Sequence, residues 1–159
     1  MRLLCATGLV LAIVLTGCSE APTQKAEAPP KKAPKKHAPP ADDRHHLPKA
    51  NQVDAKIVDD YMLGKEFLPG GSLGTYKKGN TEYQIFLVKS TASDAPLHLL
   101  AFMRQMTDSK LIPHFGGYFG QDNGKPAFLF SKGAWLAGIV GLPEKEADLI
   151  ARDVAARLD

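Results

Sequence analysis

The sequence predicts an α+β domain built on a mostly antiparallel five-stranded sheet, with two amphipathic helices packed on one face. Three observations carry that expectation. Tyr83 to Lys89 is rich in β-forming residues and apolar on both sides in its middle, as a central strand should be. Gln121-Asp122-Asn123-Gly124 and Ser131-Lys132-Gly133 are tight-turn signals between short apolar runs, so successive strands should run antiparallel. Ala147, Ile150, Ala151, Val154 and Leu158 recur at helical spacing among charged residues.

The expected order is helix-β-β-helix-β-β-β-helix. Asn51 suits an N-cap, and Val53, Ile57, Val58, Tyr61 and Met62 repeat with a helical period as far as Gly64. That pattern predicts a short first helix. Leu68-Pro69-Gly70-Gly71 breaks it, a weak strand follows over Leu73 to Lys77, and Lys78-Gly79-Asn80 turns into Tyr83 to Lys89. Ser93 is the expected cap of the next helix, with Pro96 in the first turn, where its missing N–H costs little. Leu99, Phe102, Met103 and Met106 line one side of this helix as far as Thr107. After a loop closed by Pro113, strands are expected over His114 to Gly120, Pro126 to Phe130 and Ala134 to Val140. Gly141-Leu142-Pro143 opens the last helix, with Glu144, Glu146 and Asp148 early and Arg152 and Arg157 late, in agreement with the helix dipole. The layout loosely resembles small secreted bacterial domains of unknown function, a resemblance that brings no catalytic residues with it.

Upstream of this domain the chain changes character twice. Met1-Arg2 is a short positive start, and Leu3 to Leu15 is an apolar run shorter than the roughly twenty residues a membrane-crossing helix needs. A charged start, a short apolar middle and small residues at the end describe a secretory signal. Leu15-Thr16-Gly17-Cys18 resembles the lipobox of bacterial lipoproteins. The resemblance implies a signal peptide over residues 1–17, cleavage before Cys18, and acylation of Cys18 as the membrane anchor. Plainer readings are a conventional signal peptide with an incidental cysteine, or an uncleaved anchor. Cysteine usage favours the lipobox: with Cys5 lost in the signal, Cys18 is the sole thiol left, and an odd cysteine in an exported protein calls for an explanation. Ser19 stands where enteric lipoproteins retained at the inner membrane carry aspartate. The implied address is therefore the bacterial cell envelope, with the outer membrane facing the periplasm preferred to the inner membrane.

Residues 18–50 then read as the lipidated cysteine and a disordered Pro/Lys/Ala-rich tether. Pro29 to Lys36 has nothing to bury and cannot repay the entropy of folding. Residues 19–50 hold seven Lys/Arg against four Asp/Glu, whereas residues 51–159, the expected single globular domain, hold twelve against thirteen. A nucleic-acid binder concentrates its basic residues on the folded part. This chain does not, and no nucleic-acid partner is expected. His37, His45 and His46, with Asp42 and Asp43, have the donor types of a zinc, nickel or copper site. On a floppy tether they lack preformed geometry, so no metal site is expected there.

Chemistry is scarce in the rest. Phe115-Gly116-Gly117-Tyr118-Phe119-Gly120 leads into a hairpin turn and matches neither a dinucleotide fingerprint nor a P-loop, so it reads as a twisted strand. The domain contains only His98 and His114 as histidines, and no Gly-x-Ser-x-Gly elbow or free cysteine. His98 near Met103 and Met106 lacks a Cys-x-x-Cys-His haem attachment, and Asp59-Asp60 reads as a solvated pair. No cofactor and no catalytic set are expected. Tyr118, Phe119 and Trp135 beside Lys132 are the candidate partner-binding residues, weighed against Trp135 as a core filler. The expected function is a tethered, non-enzymatic module that binds an envelope protein, a cell-wall polymer or a small apolar ligand. The alternatives are an envelope enzyme using His114 with Asp122, or an assembly factor of an outer-membrane complex.

Overall fold

The computed structural model describes residues 39–158. The expected signal peptide, Cys18 and the proline-lysine stretch lie outside the described residues. The fold is α+β. One sheet contains β1 (Gln52–Asp60), β2 (Pro69–Lys78), β3 (Thr81–Lys89), β4 (Thr107–Ile112), β5 (Gly117–Asp122), β6 (Lys125–Lys132) and β7 (Trp135–Val140), with helices α1 (Asp94–Met103) and α2 (Glu144–Arg157). The strand order is β1-β2-β3-β7-β6-β5-β4, and every neighbouring pair is antiparallel. β3 and β7, the two most apolar strands, lie at the centre.

The sheet has seven strands where five were expected, and both additions are edges. Residues 52–60 form β1, not a helix. The half-buried positions Gln52, Ala55 and Val58 fall three apart. A bulge between Gln52 and Asp54 shifts the register. The apolar residues of β1 that suggest a helix do not share a buried face here, since Val53 and Ile57 are exposed and only Val58 of the three is half-buried. The stretch after Met106, expected as a loop, pairs with β5 as β4, its residues exposed from Thr107 to Leu111. No alternation of apolar side chains marks it.

The two helices cover opposite faces, which corrects the expectation of a single covered face. Ala147, Ala151 and Val154 of α2 pack with Tyr83, Ile85, Leu87, Phe128, Phe130, Ala137 and Ile139. Leu99 and Phe102 of α1 pack with Phe86, Val88, Leu129, Leu136 and Val140. Consecutive residues of a strand point to opposite sides. All six residues of β7 are buried, so both sides of the central strands need a cover. Two short helices on one side would have left Phe86, Leu129 and Leu136 in water. Thr91 rather than Ser93 caps α1, its Oγ1 accepting from the Asp94 N–H at 3.1 Å. The β5–β6 turn is as expected, with Asn123 at φ +49° and Gly124 at φ +74° between paired Asp122 and Lys125.

Candidate functional site

The four candidate contact residues are not one surface. Tyr118 and Phe119 are neighbours in β5, so Tyr118 joins the α1 side and Phe119 the α2 side. Trp135 is buried, at 2 % exposure, in the α2-side core. Lys132 reaches the end of α2, donating to the carbonyls of Ala155, at 2.8 Å, and Leu158. The glycines around the aromatics serve packing. A Cβ on Gly117 would lie 2.2 Å from the Leu129 carbonyl oxygen, and one on Gly120 would lie 2.8 Å from that of Thr107.

What the structure does gather around Trp135 is a segment that composition assigned to the tether. Residues 44–46 form one 3-10 turn, and Leu47 beyond it is fully buried in the α2-side core. The Tyr76 hydroxyl donates to the Pro48 carbonyl at 2.9 Å. Burial pushes the Tyr76 phenol up to about 12. His46 lies edge-on to Trp135, with ring centres 5.1 Å apart, while Lys89 Nζ stands 4.8 Å from the centre of the indole. His46 Nδ1 is 2.5 Å from the Arg157 carbonyl oxygen. A carbonyl only accepts, so Nδ1 carries the proton and donates.

Beside His46 lie His45, its ring centre 4.0 Å away, and the buried Asp43. One donor atom from each of Asp43, His45 and His46 falls within 4.8 Å of the other two. Arg44 turns the other way, forking onto Asp42 at 2.7 and 2.8 Å and reaching the Ala55 carbonyl at 3.3 Å. Those hydrogen bonds hold the Asp42 carboxyl at about 2, well below the usual range.

The enzyme alternative needed His114 with Asp122, and the structure separates them. His114 Nε2 lies 2.6 Å from Asp148 Oδ1, and Arg152 Nε holds the other oxygen of Asp148 at 2.9 Å. Burial raises the Asp148 carboxyl, and the hydrogen bonds from His114 and Arg152 together outweigh it, leaving it below the ordinary value. Asp122 is buried on the far side of the sheet edge with Lys65, an arrangement no sequence signal marks. Lys65 also donates to Gln105 at 3.3 Å and lies 4.4 Å from the Phe102 ring centre. It enters from a tight loop in which Tyr61, Leu63 and Gly64 have φ of +56°, +54° and +74°. Met106 is core under α1, and Met103 beside it is half-buried.

No helix among the described residues is long and apolar enough to cross a membrane. No family model matches the chain, and no curated protein matches its sequence. Among solved structures the fold is similar to that of a GTP binding regulator from Thermotoga maritima. The two share 15 % identity at a TM-score of 0.52, over 71 % of this chain and 82 % of that one. At that identity the likeness concerns the fold.

Proposed function

We propose that the chain is an envelope lipoprotein, anchored through acylated Cys18, whose folded part is a non-enzymatic interaction module held on a proline-rich spacer. Its binding element is the free edge of β1, and its partner is an extended segment of another envelope protein. The supporting observation is the availability of that edge. α1 and α2 occupy the two faces of the sheet, whereas β1 is an edge strand that pairs only with β2, with the Arg44 side chain reaching it at the Ala55 carbonyl. Val53, 66 % exposed, and Ile57, 36 % exposed, lie along it. From Asp54 to Asp60 its register is regular, whereas β4, the opposite edge, is irregular between Thr107 and Lys110. Strand addition uses such an edge: main-chain hydrogen bonds supply affinity and alternate side chains supply selectivity. The Thermotoga neighbour contributes the fold to this reading and no residue.

The test places a photo-crosslinking amino acid at Val53, Ile57 or, on the other edge, Leu111, in full-length protein in its native membranes. A discrete adduct from positions 53 and 57, absent from 111, is the expected result. Equal labelling from all three, or none, sinks the binding edge. Cys18→Ser should separately move the protein from the membrane to the soluble fraction. Retention of that variant in the membrane would remove the anchor.

A further inference from the structure

The turn that carries the chain into the domain holds two imidazoles and a carboxylate in one place. We propose that Asp43, His45 and His46 form a site for a borderline divalent transition metal of the zinc, nickel or copper class. The inference is independent of the β1 edge and of the lipid anchor.

Three features make it more than a coincidence of composition. The first is order. These residues stand on a turn anchored on its C-terminal side by buried Leu47 and by the Tyr76–Pro48 hydrogen bond. A floppy histidine segment would have to organise itself around an ion. This one starts with its donor atoms within 4.8 Å of one another. Bonds of ~2.1 Å in a tetrahedral shell put donors ~3.4 Å apart. The exposed His45 side chain can supply its own part of the remaining approach.

The second is the tautomer of His46. Its Nδ1–H donates to the Arg157 carbonyl, which leaves the lone pair on Nε2 and fixes the ring plane. Metal-binding histidines are held in this way, with the second ring nitrogen donating to a carbonyl or carboxylate that orients the ring and raises its basicity. The edge contact with Trp135 fixes the same ring from another direction.

The third is the local field. Arg157 is the last residue of α2, so the carbonyl that orients His46 belongs to the negative end of the helix dipole, which favours a cation nearby. Arg44, the adjacent cation that would otherwise compete for Asp43, is held by Asp42 and Ala55. Lys132 is held by the Ala155 and Leu158 carbonyls, while Lys89, which lines the same cavity as Asp43, stands over the Trp135 ring. Imidazole with carboxylate suits zinc, nickel and copper better than calcium or magnesium, which prefer oxygen alone. Three protein ligands leave a coordination position for water or for a donor from a partner.

The deciding experiment is calorimetric titration of Zn²⁺ into the untagged full-length protein, repeated with His45→Ala and Asp43→Asn. One saturating site per chain is expected, weakened at least about tenfold in each variant. Zn²⁺ should also raise the melting temperature of the wild type by mass action and leave that of His45→Ala in place. His45 is exposed, so its variant should fold normally without metal and decides the matter if Asp43→Asn melts early. Wild-type affinity in His45→Ala would mean that other donors, such as His37, hold the ion, and would overturn the proposal. So would the absence of saturable binding to the wild type.

Discussion

Lys65 Nζ lies 2.8 Å from Asp122 Oδ1, with both side chains less than a tenth exposed. This pair ties the tight 61–68 loop to the end of β5. Removing one partner strands the other charge in a buried site, so Lys65→Met or Asp122→Ala should each cost about 3–5 kcal/mol in urea unfolding. Lys65→Met combined with Asp122→Leu leaves no orphaned charge and should recover most of that loss. A double variant as unstable as the sum of the singles would show that the loop depends on the charges themselves.

Tyr76 gives the protein an alkaline limit. Burial raises its folded-state pKa from 10.0 to about 12, so its contribution is complete below pH 10 and is lost as pH rises through 12. Across that window stability should fall by up to ~1.4 kcal/mol per pH unit from this group. Tyr76→Phe should start lower by about 1 kcal/mol, for the lost bond to Pro48. Its decline above pH 10 should be shallower, and Tyr83, also raised by burial and stacked 5.1 Å away, supplies what remains. Equal slopes in the two proteins would rule Tyr76 out.

Two glycine substitutions should separate crowding from backbone conformation. A Cβ on Gly71 would lie 2.1 Å from the Leu87 carbonyl oxygen, so Gly71→Ala must force β2 away from β3. A cost above about 3 kcal/mol is expected, beyond ordinary overpacking. Gly133→Ala meets open space and suffers only from its φ of +57°, which should cost about 1–2 kcal/mol. Thermal melts of the two variants should rank them in that order.

At the acid end the informative group is Asp148. Its pKa is depressed, so its contribution is present above the unfolded value and disappears as pH falls through the folded one. Arg152→Gln removes one of its two partners, an exposed i,i+4 pair, and should lower stability at pH 7 by no more than ~0.5 kcal/mol. The difference from wild type should vanish below the folded pKa of Asp148. Carbon-13 NMR should show the Asp148 carboxyl titrating at higher pH in the variant. An unmoved titration would make His114 the sole determinant.

The centre of the fold was legible because its residues state their environment. Tyr83 to Lys89 and Trp135 to Val140 are apolar at both parities, and Asn123-Gly124 has the backbone freedom its turn requires. The same double-sided apolarity already implied a cover on each face, and it outweighs the assumption that both helices share one. The edges were not legible. Thr107 to Lys110 is polar, and β1 has no buried residue, because an edge strand is specified by backbone pairing and only weakly by side chains. Lys65 with Asp122 depends on where the chain folds back, and so does the ordering of the turn that holds Asp43, His45 and His46, whose donor types the sequence already shows. The joining of His46 to Arg157 spans 111 positions, and no local pattern encodes that distance.

That long-range clasp has a mechanical consequence. Tension on the chain before residue 39 enters the domain through the 44–46 turn, beside the last turn of α2. A load applied directly to the start of an edge strand would peel β1 from β2 one hydrogen bond at a time. The His46–Arg157 bond, buried Leu47 and the Tyr76–Pro48 bond stand in series ahead of that strand, and each must yield in turn before it feels the pull. The turn therefore acts as a strain relief, and the outermost strand can stay paired under a pull from the N-terminal side.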